Sequence, residues 1–181
     1  NGIEDPQIPI ETTGSVRKLF EHFYSAVETP VTHNGDIYIE LLLNDLIRFI
    51  GADFSPLTIE TVQDFPVKCC VKQSILGAYS ANTYIAMDEQ TSIAFASRYV
   101  KYSFNEYDEY VQASLEDFLN LQNGLFTVNV SNDSSTELTL APPEQITDDK
   151  LSFSVSTGHI PILYPFGELH FFIELLQNPE A

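Results

Sequence analysis

The sequence predicts an α+β fold, in which a mainly antiparallel sheet of about six strands is covered by two pairs of helices. Two observations lead to this fold class. Helical apolar periodicity and strand-like alternation occur in separate blocks, in the order two helices, about three strands, two helices and about three strands. The strand candidates are joined by short polar turns, which connect antiparallel neighbours. A length of 181 residues fits a single domain.

The first part of the chain differs from the rest in composition. Residues 1–14 contain two prolines and end in a glycine, which is typical of a linker or N-terminal arm, and we expect it to follow a preceding domain. The segment 15–30 has apolar residues at helical spacing and predicts an extra helix that ends at a proline. The domain itself is expected to span 15–177, followed by a free tail at 178–181.

A second helix is predicted from Asp36, a candidate N-cap, to Gly51, a typical helix terminator. Beyond Gly51 the apolar period changes from helical to alternating, and β-branched residues become frequent, which favours strands. The strands predicted in this block are 57–63, 67–76 and 81–87.

The second half of the chain repeats this order. Asp88 is a candidate N-cap for a short helix over 89–102. A long amphipathic helix over 108–130 follows and is expected to end in a polar turn at 131–135. A proline pair at 142–143 ends the first strand after this turn. The segment 136–141 is predicted to be a strand, and the segments 150–157, 159–164 and 167–176 are predicted to supply two or three more.

The net charge, the cysteines and the histidines argue against several kinds of partner and site. The net charge is −18, from 26 acidic and 8 basic residues, and such a field argues against nucleic-acid and membrane partners. Cys69 and Cys70 are neighbours in a predicted strand, so their side chains point to opposite faces. We therefore expect reduced core cysteines and a cytoplasmic protein. The four histidines are scattered without ligand spacing, so no metal site is expected.

Helix 108–130 has an unusual outer side. Asn and Gly both cost helix stability relative to Ala, so a stripe that contains both needs an explanation. One interpretation is a surface turn with a frayed end near Gly124. The other is a docking face, on which a carboxylate and a carboxamide are held one turn apart for a partner. The stripe, at positions i, i+4, i+7 and i+11, consists of Ala113, Asp117, Asn120 and Gly124.

The run from Asp117 to Gly124 resembles the E-x-x-N-x-x-x-G signature of the CheC/CheX/FliY chemotaxis phosphatases. The order of elements around it is also similar to that family. A strand ending in Gly77 is followed by another strand, a short helix, the signature helix, a strand that runs into a proline pair, and terminal strands. The resemblance covers roughly 36–177, is closest to the CheX-like branch, and implies a CheC-like fold.

The resemblance implies a reaction. Members of this family remove the phosphoryl group from the aspartyl phosphate of a response-regulator receiver domain such as CheY, in chemotaxis or two-component signalling. By this resemblance Asn120 orients the attacking water, Asp117 pairs with a receiver lysine, and Gly124 lets the receiver approach. The position of Ala113 in the same stripe predicts that it does so too. The Mg²⁺ belongs to the receiver, so no cofactor is expected on this chain. A homodimer is also expected.

Alternatives remain open for the carboxylate and for the activity. The family glutamate is replaced here by Asp117, which is one methylene shorter, and Glu116, four residues before Asn120, is the alternative carboxylate. If neither reaches the lysine, the chain is a catalytically inactive CheX-like binding or dimerisation output domain of a response regulator. Glu40 and Asn44 repeat the spacing of Glu116 and Asn120 and form a candidate second site.

Overall fold

The computed structural model describes residues 33–78, 80–134 and 137–176. The predicted arm, the extra helix at 15–30 and the tail lie outside these residues. Within them, three helices and an eight-stranded sheet occur in separate blocks. All paired strands are antiparallel. The predicted α+β class is therefore confirmed, with more strands than the six expected because several are very short.

The helices form where apolar residues recur at helical spacing. They are α1 (His33–Phe49), α2 (Glu89–Val100) and α3 (Glu109–Ser134). Helix α2 begins as predicted, because the Asp88 carboxylate accepts a hydrogen bond from the Thr91 amide. It ends at Lys101, which adopts a left-handed conformation with φ of 56° and donates its amide to the Ser97 carbonyl.

Helix α3 is longer than predicted. The turn expected at 131–135 is wrong, because the helix continues through Ser134. Phe126 and Val130 are only 2% and 4% exposed, so the buried apolar side extends into the last turns of the helix. Burial there outweighs the weak helix propensity of the serines and asparagines that follow. Helix α3 is consequently a continuous rod of 26 residues.

The sheet has the order β1-β7-β8-β4-β3-β5, with β2 pairing with β7 and β6 pairing with β3. The strands are β1 (Ser55–Pro56), β2 (Glu60–Pro66), β3 (Cys69–Gly77), β4 (Ser80–Met87), β5 (Leu138–Leu140), β6 (Glu144–Ile146), β7 (Lys150–Tyr164) and β8 (Gly167–Leu176).

The segments 150–157 and 159–164 join in the single strand β7, so that two strands, and not three, form over 150–176. Strand β7 is continuous because Gly158 pairs with Thr61 of β2 on one side and with Ile173 of β8 on the other. The glycine that is typical of a turn therefore lies inside a ladder. Strand β2 also begins three residues later than predicted, and the short strand β6 was not predicted.

The proline pair at 142–143 interrupts one edge of the sheet. Strand β5 pairs with residues 75–77 of β3, and β6 pairs with residues 70–72. Proline has no amide hydrogen to donate, so the ladder is interrupted beside Gln73 and Ser74. At this interruption the Ala141 amide donates to the Ser74 carbonyl at 3.0 Å.

The sheet is covered on both faces. On the first, which we call the helix face, side chains such as Val71 and Phe171 join the helices in one large core. On the second, which we call the ribbon face, β2 and the first half of β7 fold over Tyr84 and Phe172, with Phe153 in contact with both rings. Both cysteines are buried free thiols. None of the three described helices has the length and apolarity needed to cross a membrane.

Candidate functional site

The residues singled out in the sequence lie on the outer side of helix α3. The helix begins after Asp108, whose carboxylate accepts hydrogen bonds from the amides of Tyr110 and Val111 at 3.0 and 3.1 Å. Burial of the inner side fixes the rotation of the helix about its axis, and hence the direction of the outer residues. The buried residues of the helix are Val111, Ser114, Leu115, Phe118, Leu119, Gln122, Asn123, Phe126 and Val130.

The outer residues line a shallow depression of about 270 Å³. Asp117 and Asn120 are both exposed there, together with Ala113. Glu116 and Pro143 complete the lining. A carboxylate and a carboxamide therefore lie side by side on the surface, on a continuous helix, as their spacing predicts.

The Asn120 carboxamide is exposed but is held from beneath. Its Oδ1 accepts a hydrogen bond of 2.7 Å from Nε2 of Gln73, a β3 residue that is only 1% exposed. The same Nε2 donates to the Ala141 carbonyl at 2.8 Å. Because Gln73 is packed in the core, this contact restricts the rotamers of a surface side chain that would otherwise be mobile.

Each carboxylate of the depression has its own hydrogen-bond donor. The Tyr99 hydroxyl on α2 donates to Asp117 Oδ2 at 2.5 Å, and Gln145 Nε2 on β6 donates to Glu116 Oε1 at 2.7 Å. Burial, together with the bond to Asp117, raises the pKa of Tyr99, so its hydroxyl remains a donor at neutral pH. Asp117 is exposed, whereas Glu116 is half-buried.

Gly124 lies one turn beyond Asn120 and leaves open space. Among the described residues, a Cβ built at this position would meet no neighbouring atom within 4 Å, so packing against them does not require the glycine. The helix passes through Gly124 without a break, and the interpretation of a frayed surface turn is therefore wrong. Ala113, on the other side of the pair, is small and exposed. Both residues leave the helix surface open to a partner.

The candidate second site does not join this depression. Glu40 and Asn44 lie half-buried on α1, and neither lines the depression. The next residue, Asp45, is 2% exposed, and its Oδ2 has no hydrogen-bond partner among the described residues. Burial raises the pKa of Asp45 to about 7, and Arg48 opposes this rise. Helix α1 thus contains a buried acid next to the pair.

Three buried residues behind the depression were missed in the sequence. The Tyr38 hydroxyl donates to Asn123 Oδ1 at 3.0 Å, and Asn123 Nδ2 donates to Gln73 Oε1 at 2.8 Å. One signal could have revealed them: alternation places Gln73 on the same side of its strand as Val71 and Ile75, which is the apolar side. A polar side chain in that position requires a buried partner.

Two of the four histidines form a pair on the ribbon face. His159 Nε2 and His170 Nδ1 are 2.8 Å apart and share a hydrogen bond. Burial lowers the pKa of both, that of His159 to about 4. In the described ranges 33–78, 80–134 and 137–176, no group of three or more His, Cys, Asp or Glu side chains could hold a metal ion.

Solved structures identify the fold. A CheX chemotaxis protein from Desulfovibrio desulfuricans matches with a TM-score of 0.68 and 14% identity, over 80% of this chain and 100% of that chain. This chain has the fold of the CheX and CheC-like chemotaxis proteins. CheX from Vibrio vulnificus also matches with a TM-score of 0.68 and 14% identity, over 80% of this chain and 100% of that one.

One of the solved structures with a similar fold is that of a complex. The CheX–CheY–BeF3–Mg²⁺ complex from Borrelia burgdorferi matches with a TM-score of 0.61 and 15% identity, over 77% of this chain and 96% of that chain. No family model matches the sequence, and no curated protein is significantly similar to it. The CheC-like fold inferred from the signature residues is confirmed by structural similarity alone.

Proposed function

We propose that this chain is a CheX-like phosphatase that hydrolyses the aspartyl phosphate of a CheY-like receiver domain, in chemotaxis or two-component signalling. The observation that carries the proposal is the exposed pair of Asn120 and Asp117 on α3, in which the carboxamide is held by Gln73. The complex of a CheX with CheY among proteins of similar fold supports a receiver as the partner. A shallow, open depression also suits a macromolecular surface better than an enclosed small molecule.

The reaction requires positioning rather than a nucleophile from this chain. Water attacks phosphorus in line with the oxygen of the receiver aspartate. The bond from water oxygen to phosphorus forms, the bond from phosphorus to the aspartate oxygen breaks, and the products are a carboxylate and inorganic phosphate. Asn120 positions the water, and a carboxylate of the depression draws the receiver lysine away from its resting partner. The Mg²⁺ is expected on the receiver, so the proposal requires no cofactor here.

Exposure favours Asp117 over Glu116 as the partner of the lysine. Asp117 is the more exposed of the two carboxylates, and Tyr99 orients it from the side of α2. Glu116 is half-buried and tied to Gln145 on the sheet edge. Matched amide substitutions, Asp117→Asn and Glu116→Gln, keep the shape and remove the charge. The larger loss of phosphatase rate should follow from Asp117→Asn.

The decisive experiment is the release of phosphate from a CheY-type receiver that has been phosphorylated with acetyl phosphate. The wild-type chain should accelerate release over autodephosphorylation, and Asn120→Ala should remove about 100-fold or more of that acceleration, because the water is no longer positioned. Asn132→Ala is the matched control, since Asn132 is an exposed asparagine of the same helix outside the depression. Equal rates for wild type and Asn120→Ala would remove Asn120 from the mechanism.

A binding module without chemistry is the second candidate function. It is favoured by the short Asp117 side chain, which is already engaged by Tyr99. In this case fluorescence anisotropy would detect binding of the phosphorylated receiver without any acceleration of phosphate release. Asn44→Ala in the same assays tests the candidate second site on α1. Homodimerisation stays a prediction, which sedimentation of the full chain can check.

A further inference from the structure

The buried side chains behind Asn120 form a chain of hydrogen bonds through Gln73, Asn123 and Tyr38, in which each donor and each acceptor can be assigned. Carboxamide oxygen and nitrogen atoms differ in hydrogen bonding, since the oxygen only accepts and the nitrogen only donates. A chain of carboxamides is therefore ordered once one of its members meets a group of fixed character. In this protein that group is a backbone carbonyl, that of Ala141 at the interrupted sheet edge.

The direction can be followed outward from that carbonyl. The Ala141 oxygen can only accept, so Gln73 must present its Nε2 there, at 2.8 Å. The second hydrogen of the same Nε2 is directed to Asn120, at 2.7 Å. Asn120 must therefore present Oδ1 to Gln73. Its Nδ2 is therefore the amide atom left free of Gln73, on a residue that is exposed and lines the depression.

The inner half of the network gives the same direction independently. The Thr83 hydroxyl donates to the Gln73 backbone carbonyl at 2.9 Å, so its oxygen is left to accept from Asn123 Nδ2 at 2.8 Å. The other hydrogen of Nδ2 is donated to Gln73 Oε1 at 2.8 Å. Asn123 Oδ1 then accepts from the Tyr38 hydroxyl. Each of these donors has an acceptor, and reversing any carboxamide would place two acceptors or two donors together.

We propose that Gln73 is a positioning residue, which fixes both the rotamer and the amide orientation of Asn120 so that the Nδ2 donor faces the receiver. The proposal rests on the phosphatase function argued above for its catalytic consequence. A water that accepts a hydrogen bond from Nδ2 keeps a lone pair free to attack phosphorus, so this orientation suits the hydrolysis. Gln73 itself is only 1% exposed, so in this proposal it acts through Asn120 and not by direct contact with the receiver.

The test compares Gln73→Met with Gln122→Met. Both replace a glutamine that is at most 1% exposed, and both remove one buried amide. Only Gln73 contacts Asn120, whereas Gln122 donates to the Tyr38 carbonyl. With a CheY-type receiver phosphorylated by acetyl phosphate, Gln73→Met should lower kcat by about 10- to 100-fold and leave KM nearly unchanged, because the defect is in orientation and not in docking. Gln122→Met should retain the wild-type kcat.

A second readout does not depend on activity. In the ¹⁵N-labelled wild-type chain, NMR should show slow exchange of the Gln73 Nε2 hydrogens and cross-peaks between them and the Asn120 side chain. In Gln73→Met the Asn120 amide signals should shift toward those of a mobile asparagine, and in Gln122→Met they should stay in place. The wild-type measurement keeps the proposal testable if Gln73→Met does not fold.

The outcomes separate the two proposals. A wild-type chain without phosphatase activity that still shows the Gln73–Asn120 cross-peaks would reject the phosphatase and retain the positioning contact. An active wild type whose Gln73→Met variant keeps its kcat, or keeps its Asn120 signals, would reject the positioning role and retain the phosphatase. Absence of the cross-peaks in the wild-type chain would overturn the positioning role whatever the activity.

Discussion

The helix face and the ribbon face are built on the same strands, but their polar networks end differently. Neighbouring residues of β3, Gln73 and Ser74, point to opposite faces. The network of Gln73 reaches the exposed Asn120. On the ribbon face, Ser74 donates to Asn82 Oδ1 at 2.7 Å, and Asn82 Nδ2 donates to Glu174 at 2.9 Å. Glu174 is 4% exposed, and Ser74 and Asn82 are half-buried, so no member of this second network is exposed as Asn120 is.

The covering element explains the difference. A helix presents residues three positions apart on adjacent parts of its surface, so Asn123 can be buried while Asn120 is exposed, with Gln73 in contact with both. The ribbon face is instead covered by strands and aromatic rings, with Phe153 packed on Tyr84. A buried polar network can therefore act on a surface residue where a helix covers it, as α3 does, because the helix contributes both a buried and an exposed residue to the network.

The largest effect is expected from replacing the asparagine at the centre of the helix-face network. Asn123→Leu leaves the Tyr38 hydroxyl and Gln73 Oε1 without their partner, whereas the Thr83 hydroxyl loses a donor but still donates to the Gln73 carbonyl. Each orphaned buried group costs about 1–3 kcal/mol, so we expect the free energy of unfolding in urea to fall by about 3–5 kcal/mol. The NMR signals of the Asn120 side chain should move as well.

Asn82→Leu is the matched substitution on the ribbon face. It removes the amide donor to Glu174 and should also lower the free energy of unfolding, but it should leave the Asn120 signals and the phosphatase rate in place. Movement of the Asn120 signals in Asn82→Leu to the same extent as in Asn123→Leu would show that the two faces are coupled through β3 and β4, and the comparison would fail.

The faces should also respond to pH with opposite sign. Burial raises the pKa of Asp45, which packs on the helix-face side in α1, from 3.8 to about 7. The folded protein then holds a proton that the unfolded chain has lost, so this contribution to stability is full below about pH 4 and is lost as the pH rises toward 7. Asp45→Asn should therefore be more stable than wild type at pH 8, by about 2–4 kcal/mol, and similar to it at pH 4. Equal stabilities of the two proteins at pH 8 would contradict a pKa of Asp45 that burial raises in the folded protein.

A smaller effect of the opposite sign is expected on the ribbon face. Burial lowers the pKa of His159 from 6.5 to about 4, and His170 opposes its protonation further. The unfolded chain therefore binds the proton first, and stability is lost as the pH falls from 6.5 toward 4. His159→Gln, which can still hydrogen bond to His170, should reduce this acid-induced loss by about 1–2 kcal/mol in urea titrations at pH 5 and pH 7. If His159→Gln loses as much free energy of unfolding between pH 7 and pH 5 as the wild type does, the loss at acid pH is caused by groups other than His159.

Local sequence signals were sufficient for much of the fold and for the exposed part of the site. The Asp88 cap acts between residues three apart, and the outer side of α3 follows from its helical period alone. Such features depend on neighbours along the chain. Asp117 and Asn120 could be assigned to one surface for this reason, and the resemblance to the chemotaxis phosphatases followed from the same residues.

The unpredicted features depend on distant partners. The Gln73–Asn120 and Tyr38–Asn123 bonds join residues 47 and 85 positions apart. Single-residue patterns contain no information on which buried carboxamides will meet. Local patterns could not decide whether 150–157 and 159–164 form one strand or two, because the place of Gly158 in β7 depends on two strands, β2 and β8, that pair with it from both sides.

The Ala141 carbonyl also bears on how the orientation of Asn120 can be retained while the amino-acid sequence changes during evolution. Mutation replaces side chains, but it leaves every main-chain oxygen in place. An acceptor supplied by the main chain, beside a break imposed by two prolines, is thus inherited with the topology itself. Descendants of this chain in which most surface side chains have been replaced would therefore still orient the Asn120 carboxamide with its Nδ2 toward a partner.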